Sequence, residues 1–327
     1  MSVRLFASVL VVLVAAPAWA AQAGSYTPPR TPDGQPDLQG FWSNATFTPL
    51  ERPKNVTKEF YTPEEAAERE KRLIAADVDQ TEPGTIEDVH YDFTQFGLDT
   101  HQAPYASTLR TSMIFDPPDG RLPPLSAEGR RRAAERAEHE KRVGRWDSAQ
   151  SNQLDDRCVI FAGAGPPMLP QSYNSNYQIV QGPGYVMILF EMAHDARIIP
   201  IDRRPHAHDG LRQWIGDSRG RWEGDTLVVE TTNFNGKNPI NGSSEHLRVT
   251  ERFTRVDADT IRYQFTLADP STWTRPWSAE LAMRRTIGPL FEHACHEGNY
   301  GLYNTLAGAR LAEQKAAEEA AKRKGSE

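Results

Sequence analysis

Short apolar runs separated by turn residues mark the middle of the chain, between residues 177 and 234. Each run is rich in Val, Ile, Leu, Phe, Tyr and Thr and is bounded by Gly, Pro, Asp or Asn, which is typical of β-strands. The runs cover residues 179–180, 185–192, 198–201 and 226–232. We therefore predict successive strands of a meander.

A period of two follows in residues 247–256 and 260–267, which a short turn joins. Apolar and polar side chains alternate along the second run, so one face would lie in the core and the other in water. The pattern predicts a β-hairpin. The apolar positions of the second run are Ile261, Tyr263, Phe265 and Leu267.

Glu251 interrupts the apolar face of the first run of this hairpin, where Leu247, Val249 and Phe253 have the same parity. A carboxylate on an inward face costs free energy unless it is paired. Glu251 therefore marks either a salt bridge, with an arginine such as Arg275, or a functional site.

Further strands are predicted at residues 112–115 and 277–283, and residues 290–295 are predicted to close the sheet. The chain has many short strands with hairpin-length links and no alternation of strands with helices. This organisation predicts a mainly β fold, either an antiparallel up-and-down barrel of lipocalin-like type or a curved sandwich.

Three helices are expected outside the sheet. Thr62, Pro63 and Glu65 form an N-cap, a first-turn proline and a capping box, which predict a helix to about residue 75. Ser126 is expected to cap a second, strongly polar helix to about residue 143. From about residue 300 the chain is rich in helix formers with opposite charges four residues apart, which predicts a solvated helical tail.

The first twenty residues have the pattern of a secretory signal peptide, with a basic start, an apolar run and a small-x-small cleavage site. The apolar run is shorter than the roughly 20 residues that a membrane-spanning helix needs. We expect a periplasmic or secreted protein without a membrane span after cleavage. The predicted regions are a signal peptide (1–20), an N-terminal arm with two helices that pack on the barrel (21–157), the barrel (158–300) and the charged tail (301–327).

The net charge limits the classes of partner that we expect, and the cysteine content predicts a covalent link. The formal net charge is −7, and no basic face suggests a nucleic-acid partner, so a small-molecule ligand or substrate is expected. Cys158 and Cys295 are the two cysteines. In an exported chain an even number predicts a disulfide, and two reduced buried thiols are the alternative.

Reactive side chains are concentrated between the second and fourth predicted strands of the meander, where turns would project them at one rim of the barrel. His194, with Asp195 and Glu191 beside it, could perform acid–base chemistry, because a carboxylate fixes the tautomer of an imidazole. Alternatively, these residues only form the turn at 192–197. The rim residues are Glu191, His194, Asp195, Arg197, His206, His208, Asp209 and Asp217.

A metal site is a further hypothesis for the histidines. His206 and His208, together with His293, His296 and Glu297, have residue types and spacings that zinc sites use. The same spacings are common by chance. We therefore predict no cofactor, with zinc or another divalent metal as the alternative.

Tryptophans offer a possible binding platform. Trp214, Trp222, Trp273 and Trp277, with Arg275 between the last two, could stack on a sugar or an aromatic ring. Tryptophans of a β protein also fill its core, so that interpretation stays open.

Six long and specific segments stand out along the chain. They are TPDGQPDLQGFW, DPPDGRLPPL, DARIIPIDRRPH, RQWIGDSRGRWEGDTLVVETTNF, DPSTWTRPW and ACHEGNYGL. In these segments the chain resembles a family of exported bacterial proteins of unassigned function. The resemblance covers nearly the whole chain after the signal peptide and implies a single structural unit with an export signal. His293 stands where the family is expected to have an aromatic residue, which weakens a metal site there.

Together these patterns predict an exported β-barrel protein that binds a small polar or aromatic ligand, such as a sugar derivative. If it is an enzyme, we expect a cofactor-free lyase or hydrolase that uses His194 and Asp195 for proton transfer, with Glu191 and Glu251 as further catalytic candidates. A non-enzymatic binding or envelope protein and a metal-dependent enzyme are the alternatives. The predicted ligand-binding residues are Tyr173, Tyr177, Arg197, His206, Trp214, Arg275, Trp277 and His296.

Overall fold

The computed structural model describes residues 26–77, 107–171 and 174–324. The predicted signal peptide and the predicted ligand-binding residue Tyr173 lie outside the described residues. So does the side chain of His194.

The described residues form one antiparallel sheet of ten strands that is nearly closed into a barrel, as predicted. Its strand order is β5-β4-β3-β1-β10-β9-β8-β7-β6, and β2 pairs with β10 outside this order. The strands are β1 (Gly40–Ser43), β2 (Ile114–Asp116), β3 (Asn176–Gly182), β4 (Tyr185–Phe190), β5 (Ala196–Pro200), β6 (Asp217–Glu223), β7 (Thr226–Thr232), β8 (Arg248–Arg255), β9 (Thr260–Ala268) and β10 (Trp277–Arg285).

Strand β1 connects two meanders, β3 to β5 and β6 to β10. Trp42 of β1 pairs with Tyr177 on one side and with Arg285 on the other. Its indole is completely buried, and its Nε1–H donates to the Leu38 carbonyl oxygen at 2.9 Å. The N-terminal segment therefore contributes a strand to the centre of the sheet order.

The seam between β5 and β6 brings the two ends of the strand order together. Among the described residues no ladder joins these strands, and side chains close the gap instead. A Cβ atom at Gly220 would lie 2.7 Å from Cγ2 of Ile201 and 2.9 Å from Cγ2 of Ile199. The glycine therefore allows β5 to pack directly on β6.

Three strand predictions need correction. Strand β1 was not predicted, because it is only four residues long. Strand β6 was not predicted, because its sequence DSRGRWE is almost entirely polar. Residues 290–295, predicted to close the sheet, contain no strand. Strand β10 already pairs with β9 along one edge and with β2 and β1 along the other, so it has no free edge.

All three predicted helices are confirmed. The Thr62 backbone N–H donates to Glu65 Oε2 at 2.8 Å and the Glu65 N–H donates to Thr62 Oγ1 at 3.2 Å, which is the predicted capping box. Ser126 Oγ accepts the Gly129 N–H at 2.9 Å. The helices are α1 (Pro63–Asp77), α2 (Ala127–Arg142) and α3 (Tyr300–Lys324).

The second half of α3 has exposed side chains from residue 310 to residue 323, as predicted for a solvated tail. Among the described helices, none combines the length and the apolar character needed to cross a membrane.

A disulfide joins Cys158 to Cys295, with 5.7 Å between the Cα atoms, as predicted. It connects the segment that precedes β3 to the segment that follows β10. A disulfide is compatible with an exported protein.

Candidate functional site

One end of the barrel collects most of the predicted rim residues. Strands β3, β5, β6, β8 and β10 begin at this end, and β4, β7 and β9 end there. We call it the upper end. Glu191 and Asp195 lie in the connection between β4 and β5, and Asp217 is the first residue of β6.

Glu251 forms a buried ion pair with Arg197. Nη1 and Nη2 of Arg197 lie 3.1 Å and 2.5 Å from Oε1 and Oε2 of Glu251, and both side chains are almost completely buried. The predicted partner Arg275 is wrong, because Arg275 lies at the surface and pairs with Asp116 at 2.6 Å. Arg197 instead reaches Glu251 from β5, through the interior of the barrel.

Two buried tyrosines lie near this ion pair, and one of them forms a hydrogen bond with it. The Tyr263 hydroxyl donates to Glu251 Oε1 at 2.7 Å, and the Arg197 guanidinium also approaches Ser218 Oγ at 3.5 Å. Burial raises the pKa of Tyr263 well above its ordinary value, and the negative charge of Glu251 adds to this shift. Burial likewise raises the pKa of Tyr177. Both phenols therefore stay protonated and act as hydrogen-bond donors.

Burial alone would lower the pKa of Arg197, but the adjacent Glu251 carboxylate outweighs it, and the net shift is upward. Arg197 therefore stays charged inside the barrel. We call the buried group around this pair the interior polar cluster. It consists of Asn44, Tyr177, Arg197, Ser218, Glu251 and Tyr263.

A loop covers the interior polar cluster at the upper end. Residues 162–169, which we call the plug segment, place Met168 in the core with no exposed surface. The Met168 N–H donates to the Tyr263 hydroxyl at 2.9 Å, and the Tyr177 hydroxyl donates to the Gly163 carbonyl oxygen at 2.9 Å. The loop thus separates the cluster from the outside.

A small cleft of about 160 Å³ lies beside the plug segment. We call it the ring cleft. Its walls are apolar except for two amide side chains, and Trp214 is the large aromatic residue with the most exposed surface there, at 38%. The lining side chains used below are Pro166, Leu169, Trp214, Phe234, Asn238, Ile240 and Asn241.

The loop that carries Trp214 is held in place by Asn233. Its Nδ2 donates to the carbonyl oxygens of Ala207 and His208 at 3.1 Å and 3.2 Å. The Gln213 N–H donates to the Asn233 carbonyl oxygen at 2.9 Å, next to Trp214. Asn233 adopts a positive φ of 60°, a conformation that asparagine tolerates better than most residues. These bonds hold the backbone of the loop next to Trp214.

The same loop begins with a histidine–carboxylate pair. Nδ1 of His206 lies 2.9 Å from Oδ2 of Asp217. The carboxylate also accepts the Ala207 N–H at 2.9 Å and Nη1 of Arg219 at 2.6 Å, so its orientation is determined. A carboxylate oxygen accepts hydrogen bonds, so this geometry favours the tautomer of His206 that has its proton on Nδ1.

The predicted catalytic residues Glu191 and Asp195 lie at the upper end. Glu191 is buried and accepts Nδ2 of Asn176 at 2.6 Å and the Phe291 N–H at 3.1 Å, so it holds the segment after β10 against β3. Because the His194 side chain is outside the described part, proton transfer between His194 and Asp195 stays a prediction.

The predicted tryptophan platform is divided between surface and core. Trp273 and Trp277 are 2% and 0% exposed and pack edge to face with 5.6 Å between their ring centroids. Trp277 therefore packs in the core, and its role in ligand binding stays a prediction. Trp222 is partly buried, and Trp214 lines the ring cleft.

The histidines of the metal hypothesis do not assemble. His206 pairs with Asp217, while His296 is exposed in the segment between β10 and α3. Within the described ranges, no group of three or more His, Cys, Asp or Glu residues is arranged to hold a metal ion. The geometry therefore gives no support to a metal proposal.

A second cleft, of about 690 Å³, lies beside the disulfide. Trp146 lines it with 36% of its surface exposed, and Arg145 covers its ring at 4.6 Å. The carboxylates of Asp155 and Glu292 in its wall are exposed to water. This open, charged cleft encloses a ligand less well than the ring cleft does.

Several residues of the site were not predicted. Asn44, Asn233, Phe234, Asn238 and Asn241 lie in loops, where the sequence has no periodicity that would indicate which way a side chain points. Tyr263 was predicted only as a core position, and nothing in the sequence indicated that its hydroxyl bonds to Glu251.

Comparison with known proteins does not assign the chain to a family. The resemblance to exported bacterial proteins therefore stays an expectation, and the geometry of the upper end carries the functional inference. Neither a family model nor a curated protein sequence matches this chain.

Proposed function

We propose that the protein is exported to the periplasm or secreted, and that it binds a small ligand through one uncharged ring in the ring cleft. The observation that carries this proposal is the volume and lining of the cleft, about 160 Å³ beside the half-exposed Trp214. A cavity of about 150 Å³ accommodates a benzene ring. The ring cleft therefore suits one six-membered ring.

The lining chemistry favours a sugar derivative or an aromatic compound. Trp214 and Phe234 offer aromatic surface for stacking, and the amides of Asn238 and Asn241 can donate to and accept from hydroxyl groups. None of the described side chains that line the cleft is charged. An uncharged ring is therefore preferred over an ionic ligand.

Replacing Trp214 by Ala is expected to weaken ring binding by about tenfold or more, because an aromatic contact and its buried surface are lost. Trp214→Phe should lose less, since it keeps an aromatic face. Titration calorimetry with methyl β-D-glucopyranoside and with benzyl alcohol measures both variants.

Trp146→Ala is the matched control, because Trp146 is about as exposed as Trp214 but lines the other cleft. Its affinity for both compounds should equal that of the unchanged protein. Equal affinities for Trp214→Ala and Trp146→Ala would rule out the ring cleft as the binding site.

The His206–Asp217 pair favours a second candidate function, acid–base catalysis without a cofactor by a lyase or hydrolase. A carboxylate that fixes the tautomer of a histidine leaves Nε2 free to take a proton from a substrate or from water. His206 lies on the same loop between β5 and β6 as Trp214, and Asp217 is the first residue of β6. The non-enzymatic alternative is a binding protein in which the pair only holds the loop.

If the pair is catalytic, His206→Gln should lower kcat by about 100-fold or more, the range of general acid–base catalysis. Binding in the ring cleft should change little. Hydrolysis of a panel of p-nitrophenyl glycosides and esters provides the assay. His208→Gln is the control, because Nδ1 of His208 accepts the backbone N–H of Gly210, whereas Nδ1 of His206 faces a carboxylate. Equal turnover by His206→Gln and the unchanged protein, or no turnover by either, would favour the binding protein.

A further inference from the structure

The plug segment is attached to the barrel through side chains of the interior polar cluster. Besides the two bonds described above, its Met168 carbonyl oxygen accepts Nδ2 of Asn44 at 2.9 Å. Within the described residues, no backbone hydrogen bond joins the plug segment to a strand. Its polar backbone groups therefore occupy positions on Tyr177, Tyr263 and Asn44 that a ligand's hydroxyl groups could occupy.

Two polar atoms of the cluster form no hydrogen bond with the plug segment. Oδ1 of Asn44 and Nε of Arg197 are buried and have no hydrogen-bond partner within the described part of the chain. Oδ1 of Asn44 is an acceptor and Nε of Arg197 is a donor. Leaving such buried groups without a hydrogen bond costs free energy. A hydroxyl group both donates and accepts, so a hydroxylated ligand can satisfy both atoms.

Charge and shape restrict the class of ligand. Arg197 and Glu251 neutralise each other, so the cluster has no net formal charge. Aromatic rings surround it, with Tyr177 stacked on Phe190 at 4.9 Å and Tyr263 next to Phe253 at 4.8 Å. Aromatic faces combined with matched donors and acceptors suit an uncharged hydroxylated ring.

The plug segment also forms one wall of the ring cleft through Gly165, Pro166 and Leu169. Displacing it would join the cleft to the interior polar cluster. We propose that the interior polar cluster is a binding site for an uncharged hydroxylated ring, and that the plug segment covers this site until it opens. This inference rests on the proposed function, because the ring cleft is its entrance.

Amide hydrogen exchange of the full chain, measured by NMR, tests the opening. The Met168 amide should exchange about 100-fold or more faster than the Phe253 amide of β8, because opening one loop costs less than unfolding the barrel. Tyr263→Phe removes the acceptor of the Met168 N–H and should raise this ratio about tenfold. Tyr185→Phe, at an exposed position of β4, should leave the ratio unchanged.

Methyl β-D-glucopyranoside is the probe for the ligand. If it enters the interior, it holds the plug segment open and should accelerate exchange at Met168 relative to Phe253. Slower or unchanged exchange in the presence of the saturating sugar would overturn the interior site, as would equal rates for Met168 and Phe253 without sugar.

Either of these results would still agree with ligand binding in the ring cleft if Trp214→Ala weakens binding. Failure of the sugar to bind at all would overturn the interior site. Benzyl alcohol then tests the ring cleft separately, since it has an aromatic ring and a single hydroxyl group.

Discussion

Replacing Arg197 by Met is expected to lower the free energy of unfolding by about 3–5 kcal/mol, because it leaves the Glu251 carboxylate charged and unpaired inside the barrel. Arg197 and Glu251 are 2% and 0% exposed, so water cannot replace the lost partner without a change in structure. Urea unfolding followed by circular dichroism measures the effect.

The double variant Arg197→Met/Glu251→Gln should recover part of this loss. Removing both charges eliminates the buried unpaired ion, and the Gln carbonyl can still accept the Tyr263 hydroxyl. We therefore expect the double variant to be more stable than Arg197→Met alone. If the double variant loses as much free energy of unfolding as the two single variants together, the two side chains are not coupled, which would contradict this prediction.

Arg252→Met is the matched control, and Arg252 lies on β8 next to Glu251. Arg252 pairs with Glu223 at 2.9 Å, but both side chains are about two-fifths exposed. Exposed ion pairs contribute little to stability because water and salt screen them. Its unfolding midpoint should stay close to that of the unchanged protein, and an equal loss for Arg197→Met and Arg252→Met would contradict a special role of the buried pair.

Removing the disulfide is the second large effect that we expect. Cys158 and Cys295 are 137 residues apart, and closing a loop of that length stabilises a protein by up to about 5 kcal/mol in the chain-entropy model. Measured contributions are more often about 2–4 kcal/mol. Urea unfolding with and without dithiothreitol should show a loss of this size.

The double variant Cys158→Ala/Cys295→Ala is the control for this experiment. It should unfold at the lower urea concentration of the reduced protein, and dithiothreitol should not change it further. If the unchanged protein is equally stable with and without dithiothreitol, the bond does not stabilise the fold, which would contradict this prediction.

Local patterns were sufficient for much of the fold. The hairpin of β8 and β9 was predicted from its period of two, and the predicted core positions Ile261, Tyr263, Phe265 and Leu267 are all buried. The capping box at Thr62 and Glu65 was likewise read from adjacent residues. These features depend on interactions between residues close in the chain, which a single sequence contains.

Strands β1 and β6 show where local pattern was insufficient. Strand β1 is only four residues long and has no detectable period, and β6 is polar along most of its length. Both are strands because neighbours from distant parts of the chain supply their hydrogen bonds, β3 and β10 for β1 and β7 for β6. Such neighbours are a property of the assembled sheet.

The features of the site likewise divide into those that the sequence predicted and those that depend on the assembled barrel. Alternation in the sequence determined that Glu251 faces inward and needs a partner, but only the closed barrel decided that the partner is Arg197 of β5 rather than Arg275. Trp214 was a candidate from its residue type. Its cleft exists only because residues 162–169, Trp214 and residues 234–241 meet at the upper end.

The physical reason is that periodicity encodes which face of a strand a side chain occupies, whereas pairing across the barrel depends on strand order, register and closure. The sequence by itself determined the antiparallel β class, the main hairpin, the helix caps and the cysteine pair. The tertiary structure decided the buried ion pair, the plug segment over it and the cleft beside Trp214.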